Sequence, residues 1–192
     1  CGHHDVQSID EIIHLLRSKA NKMENGTWIK AIGYDPFYLK ERRHPTRWDL
    51  DCATKEHPIR LRHITRHACV LNSKALSIAG IGPDTIDPPG VTIEREPHSG
   101  IPTGVIYGGD SWLSQHFVTS ITSAELQAGA HKLHQLLLSK GITSVHDATP
   151  SNTIFDLRFW MNSMKDFWSI SILLMSNIEN HRILEEYYDK EA

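Results

Sequence analysis

HPIRLRHITRHACVLNSKALSIAGI, residues 57–81, is the stretch on which the reading of the fold turns. Ile59, Leu61 and His63 alternate with Arg60, Arg62 and Ile64 over 58–64. That period of two predicts a strand with one half-exposed face. After His67 the pattern changes. Asn72 or Ser73 is a natural N-cap, because its short side chain can accept an amide of the first helical turn. The helix then runs through Leu76 and Ala79 and stops at Gly80. His67 therefore stands between a strand and a helix start. A neutral imidazole there either holds a backbone carbonyl or presents one nitrogen to a ligand. On spacing alone the packing role is favoured.

Working outward, Ser8 with Glu11 forms a capping box. Ile9, Ile12, Ile13, Leu16, Ala20 and Met23 follow at helical spacing, and Asn25-Gly26 ends the helix. TWIKAIGY (27–34) reads as a strand, and residues 35–57 carry turn residues and charge with little period. Beyond the opening stretch, 80–90 is a Pro- and Gly-dense loop. PHSG between VTIERE and PTGVIYG signals a hairpin, and 111–118 is a short amphipathic segment.

From about residue 120 the rhythm is different. Thr122 with Glu125 is a second capping box. Leu126, Ala130, Leu133 and Leu137 define one helical face, and Gly141 terminates it. A strand at 142–148, a helix over 153–166, a strand at 169–176 and a helix from 178 complete the order. Alternating helices and strands imply parallel strands with right-handed crossovers. The predicted organisation is thus an α+β domain over 1–119 and an incomplete α/β run of βα units, of TIM-barrel type, over 120–192. A closed barrel of this kind takes about 250 residues.

The chain has 192 residues, 40% hydrophobic and 22% charged, a soluble globular composition. Its net charge of -3 offers no electrostatic footprint for nucleic acid or an anionic membrane. No apolar run has the length of a membrane span, and no apolar signal-peptide core opens the chain. Cys1, Cys52 and Cys69 share no metal-ligand spacing, which points to a reducing, cytoplasmic setting. The start at Cys1 instead of Met reads as an excised segment.

Thirteen histidines invite a metal reading. His131 and His134 sit at i, i+3, with His131 off the leucine face and His134 at its edge. No acidic partner completes an H-E-x-x-H pattern, so both are read as solvated. His3-His4 lies at a chain end. His63 and His67 flank a strand end, where i, i+4 spacing does not bring side chains together. His146-Asp147 falls at the C-terminal end of a predicted parallel strand, the edge where ligands bind in α/β folds. Asp147 as a plain cap or turn residue is an equal alternative. No nucleophile elbow, P-loop, dinucleotide fingerprint or C-x-x-C is present.

Several phrases occur together in order: GTWIKAIGYD (26–35), HPTRWDLD (44–51), the opening stretch, DPPGVTIEREPHSGIPTGVIYG (87–108) and LLLSKGITSVHDA (136–148). Together they resemble amidohydrolase family 3, the YtcJ-like metal-dependent hydrolases, over residues 6–176. The resemblance implies a distorted TIM barrel with a small β-sandwich and a large insertion after the first barrel strand. Residues 6–119 then correspond to a lid-like insertion, GITSVHDA to the second barrel strand and SISILLMS to the third.

The same resemblance implies a divalent metal, zinc, in a complete member. Its ligands are expected before Cys1 and after Ala192, so no catalytic residue and no metal ligand is carried over onto this chain. The chemistry implied is a metal-activated water attacking a non-peptide C–N bond. His67, Asn72, Ser73, Ala75 and Leu76 match the family's G-H-x-x-x-x-N-S-x-A-L phrase, with Arg66 in place of the usual glycine. Gly108 stands where the family often has an acidic residue, and Asp110 comes two positions late. His67, Asn72, His146 and Asp147 are the substrate-pocket candidates.

Three functions follow as expectations. One is a segment of a metal-dependent amidohydrolase, inactive alone, serving a small-molecule substrate. The others are a freestanding non-catalytic binding or oligomerisation module, and a folded fragment with no function. Unfinished sheet edges predict a homodimer.

Overall fold

The computed structural model describes Gly2, residues 6–118 and 121–147, positions 152, 153, 155, 156 and 158–160, and the backbone of 171–174. The chain divides into two compact units, Cys1–Ser120 and Ile121–Ala192.

Helix α1 spans Ile9–Ala20 and buries Ile9, Ile12, Leu16 and Ala20 along one stripe. Its start is held three ways. Ser8 Oγ accepts from Glu11 N at 3.2 Å, Glu11 Oε2 accepts from Gln7 N at 2.6 Å, and Glu41 Oε2 accepts from Ile9 N at 3.1 Å. The helix stops at Ala20, short of the Met23 suggested by its period. Gly26 (φ 82°) serves the turn beyond it.

Strands β1 (Ile29–Tyr34) and β2 (Ile59–His63) pair in parallel, with a register shift between Ile32 and Tyr34. A parallel pair needs a crossover. Residues 35–57, which lack a periodic signal, supply it and hold a five-residue helix, α2 (Arg47–Asp51). Thr46 N and Oγ both donate to the Asp49 carboxylate, at 2.7 and 2.8 Å.

Strand β3 (Ala68–Leu71) runs antiparallel to β2, and helix α3 (Ser73–Ile78) follows with Asn72 as its N-cap. The expected hairpin is present as β4 (Thr92–Arg95) and β5 (Pro102–Tyr107). Helix α4 (Asp110–His116) begins one residue before the predicted amphipathic segment. The sheet order is β1-β2-β3-β5-β4.

Both faces of this mixed sheet are covered. Leu61, Val70 and Val105 belong to one core with the α1 stripe, Leu39 and Leu50. Cys69, Leu71, Ile93 and Ile106 belong to the other, with Leu76 of α3 and Leu113 of α4. Each such aliphatic side chain contributes about 1.5–3 kcal/mol on full burial. The half-exposed reading of 58–64 is therefore corrected: Ile59, Arg60 and Leu61 are all buried. Arginines produced the alternation, but α4 covers them.

In the second unit, α5 (Ser123–Ser139) has the predicted Thr122–Glu125 capping box. Its buried side is rotated from the predicted one. Ala130 and His134 are buried while Leu126 and Leu133 are exposed, which corrects the solvated reading of His134. Strands β6 (Ser144–Asp147) and β7 (Ser171–Leu174) pair in parallel, as their order with intervening helix predicts. Helical backbone occurs at 155–156 and 158–160. The remainder of the predicted 153–166 helix and the helix from 178 lie outside the described residues.

Candidate functional site

The four pocket candidates occupy different settings. His67 is exposed on the β2–β3 turn. Its carbonyl accepts from Gly108 N at 2.9 Å, which ties the turn to the end of β5. Arg66 before it has φ 62°, the left-handed region that glycine occupies without strain. Arg66 adopts this conformation at a cost that a glycine there would not bear.

Asn72 is fully buried. Its Oδ1 accepts from Ile59 N at 2.9 Å and Ala75 N at 3.0 Å. Its Nδ2 donates to Thr54 O at 3.3 Å and His57 O at 2.9 Å. Every polar valence it has is used internally, so it offers a substrate nothing. Its place is as a clamp between β2, the 54–57 loop and α3. Ser73 beside it donates its hydroxyl to Asp51 Oδ2 at 2.5 Å and accepts from Arg47 Nε at 2.9 Å. The HPTRWDLD phrase therefore meets the Asn72-Ser73 phrase through α2.

In the second unit, His146 is exposed and Asp147 half-buried on β6, beside Leu173 and Leu174 of β7.

The richest chemistry in the first unit gathers at the sheet end that carries the His67 turn. Tyr34 ends β1, His63 ends β2 and Tyr107 ends β5, with His44 from the crossover among them. The His44 ring lies 5.8, 5.9 and 5.9 Å from Tyr34, His63 and Tyr107 respectively. Burial pushes the Tyr34 phenol far above its usual range, so it keeps its proton. Tyr34 Oη then donates to His44 Nδ1 at 2.8 Å, which leaves the His44 proton on Nε2. His63 Nδ1 accepts from Thr65 N at 3.2 Å, so its proton is also on Nε2, 3.8 Å from Asp35 Oδ1.

Burial and neighbouring His63 hold the His44 imidazole below its ordinary value. Burial and a hydrogen bond to Glu94 raise the Tyr107 phenol. The neutral His44 imidazole, the two protonated phenols and the His63 ring beside them make this a hydrogen-bonding surface at neutral pH. Single-residue spacing could not reveal it, because its members come from β1, the crossover, β2 and β5.

A second polar group lies on the opposite face of the sheet. Arg62 Nε donates to Asp110 Oδ1 at 2.7 Å, and Arg60 Nη1 donates to Ser114 Oγ at 2.7 Å. The late acid is thus engaged by arginine. Gly108 itself cannot carry a side chain in this backbone. It has φ 69°, and an added Cβ would sit 2.2 Å from Gly90 O.

Among the described residues no three His, Cys, Asp or Glu side chains converge on a point where a metal ion could bind. The described residues do not fit a metal centre. His3 and His4 lie outside the described residues. No described helix is long and apolar enough to cross a membrane.

The sequence matches the model of the Amidohydrolase family over residues 1–161. It is 29% identical over 152 residues to an N-substituted formamide deformylase of Arthrobacter pascens, covering 77% of this chain and 28% of that protein. It is also 29% identical over 130 residues to YtcJ of Bacillus subtilis, whose name assigns it provisionally to the amidohydrolases, covering 64% of this chain and 24% of that one. The chain spans about a quarter of the length of these curated relatives. Its fold is similar to the crystal structure of an uncharacterized metal-dependent hydrolase from Pyrococcus horikoshii. The TM-score is 0.56 at 20% identity, covering 95% of this chain and 34% of that one.

Proposed function

This chain belongs to the amidohydrolase family, and from that premise we propose that it is a segment of a metal-dependent hydrolase acting on a non-peptide C–N bond. The family match over most of the chain carries the reading, supported by the likeness to solved metal-dependent hydrolases. In this reading residues 1–119 are a lid-like insertion and β6 and β7 are early barrel strands. The metal, zinc or another divalent ion, is held by groups other than the described residues. It supplies an activated water when bound.

Each unit has its own candidate substrate contacts. In the first unit His67, His44, His63 and Tyr107 offer hydrogen-bond partners at one sheet end, while Asn72, at the other end of β2, is a structural clamp and not a substrate contact. In the second unit His146 and Asp147 are the candidates, at the C-terminal end of β6. The similarity to a formamide deformylase favours N-substituted amides as first substrates to try. Free thiols at Cys52 and Cys69 support a cytoplasmic setting. The exposed Leu126, Leu133 and Leu136 of α5 support a two-fold dimer, which light scattering over a range of concentrations tests.

The decisive experiment reads the coding sequence on both sides of this segment and assays the longest resulting protein. Zinc is loaded and amine release from N-substituted formamides is followed. The expected result is turnover by the long protein and none by residues 1–192. Stoichiometric zinc on this chain alone, or turnover by it, overturns the division of labour. A long protein inert toward every amide favours a binding module.

A further inference from the structure

The arginine pair on the α4 face of the sheet has more cation and more donors than its partners use. Arg60 and Arg62 lie two residues apart on β2, so they project to the same face. Asp110 and Ser114 lie four apart on α4, on one helical side opposite them. Both guanidiniums are cationic at any ordinary pH. Among the described residues Asp110 is the one carboxylate that pairs with them, and burial pushes the nearby Cys69 thiol up to about 12, so it brings no negative charge. One positive charge is left over.

The donor count points the same way. Arg62 Nε and Arg60 Nη1 converge on the same oxygen, Asp110 Oδ1, at 2.7 and 3.5 Å. Ser114 Oγ takes Arg60 Nη1 at 2.7 Å and Arg62 Nη2 at 3.4 Å. Neither guanidinium makes the two-point contact with a carboxylate for which its planar fork is shaped. Arg60 Nε is buried with no hydrogen-bond partner among the described residues. An orphaned donor on a buried cation is costly, so it needs an occupant. Arg60 is 4% exposed along its side chain, whereas Arg62 and Asp110 are each 24% exposed, so solvent reaches the group from the Arg62–Asp110 end.

We propose that Arg60 and Arg62 form a subsite for a small oxyanion, a carboxylate or a phosphate, with Asp110 as its built-in competitor. The incoming anion takes the free fork donors and neutralises the surplus charge, and Asp110 limits its affinity. This subsite uses first-unit residues alone and stands independently of the metal-hydrolase reading. A buried water on Arg60 Nε is the rival occupant, and it gives no saturable response to added anion.

The test follows arginine Nε–H signals in ¹H–¹⁵N spectra of the 192-residue chain at constant ionic strength. Arg60 is assigned through Arg60→Lys. Sodium phosphate and sodium acetate are titrated separately. The expected result is a saturable shift of the Arg60 signal with at least one of them, the responding arm identifying phosphate or carboxylate. Arg43, paired with Asp49 at the surface, serves as internal control. Asp110→Asn removes the competitor and should lower the half-saturating concentration about fivefold, the scale of one partly exposed charge pair. Arg62→Gln should abolish the shift. Where Arg62→Gln disturbs the fold by circular dichroism, the Asp110→Asn arm decides alone. An Arg60 signal that stays put in both titrations, moves only in step with Arg43, or responds identically in Asp110→Asn overturns the proposal.

Discussion

Asn72 carries four hydrogen bonds into a site with no solvent, so its replacement leaves several orphans at once. Asn72→Ala removes the α3 cap, worth about 1 kcal/mol. It also strands Ile59 N and the carbonyls of Thr54 and His57, buried groups that cost about 1–3 kcal/mol each when unpaired. A loss of at least about 3 kcal/mol is expected from urea unfolding, whereas a ligand-facing asparagine would lose under about 1 kcal/mol. Asn72→Asp should be no milder, since a carboxylate cannot donate to the two carbonyls. His44 gives the residue scale its pH dependence. Its imidazole sits below the ordinary value of about 6.5 because burial and His63 disfavour the cation. As pH falls, the unfolded chain takes up this proton first. Linkage then makes the contribution complete above about pH 6.5 and lost as pH drops through the lower folded value. The groups facing His44 are Tyr34, Asp35, His63, Glu94 and Tyr107, and the two carboxylates oppose the shift without reversing it. Urea midpoints measured between about pH 5 and 7.5 should decline toward acid, and His44→Gln should flatten that slope.

Strand β5 packs closely against both β3 and α2 at Gly104. Gly104 has φ 96°, and a Cβ there would sit 2.4 Å from Leu71 O of β3 and 2.9 Å from Arg47 N of α2. Neither backbone atom can yield without opening the β3–β5 ladder or shifting α2. Gly104→Ala should therefore cost about 3 kcal/mol or more, combining a strained φ with the clash, and thermal unfolding measures it. A loss under about 1 kcal/mol would show that β5 can back away. How well each element reads from sequence follows from where its stabilising contacts lie. The starts of α1, α3 and α5 are written in residues three apart, and the β4–β5 hairpin in its own turn, so local reading finds them. Helix α2 also has a local signal, Thr46 with Asp49, but five residues leave no room for a period. Strand β3 has an apolar or small residue at all four positions because the sheet is covered on both faces, so alternation never appears. Strand β2 alternates for the wrong reason. Its arginines look solvent-facing until Asp110 and Ser114, 48 and 54 positions on, cover them. The imidazole–phenol cluster is illegible for the same reason, since only the sheet brings β1, β2 and β5 to one end.

At the scale of the whole chain, what matters is where each core closes. Every member of the two buried clusters lies between Val6 and Val118, within the unit Cys1–Ser120. The α1 stripe covers one sheet face and α3 with α4 cover the other, so this unit buries its own apolar surface. A chain segment of about 120 residues is long enough for such a core to be stable alone. The second unit has a different surface, with Leu126, Leu133 and Leu136 of α5 exposed. The expectation is that residues 1–120 expressed alone fold cooperatively, with a urea-unfolding free energy within about 1 kcal/mol of the main transition of the full chain. Near-ultraviolet circular dichroism of Trp28, Trp48 and Trp112 should retain its fine structure in that fragment. An unfolded fragment, or one losing more than about 3 kcal/mol, would mean that the first unit depends on residues beyond 120 for stability even though its core is closed. The folded outcome would instead make residues 1–120 a separable platform for the His67 turn, the imidazole–phenol cluster and the arginine pair, so that each can be titrated without the rest of the protein.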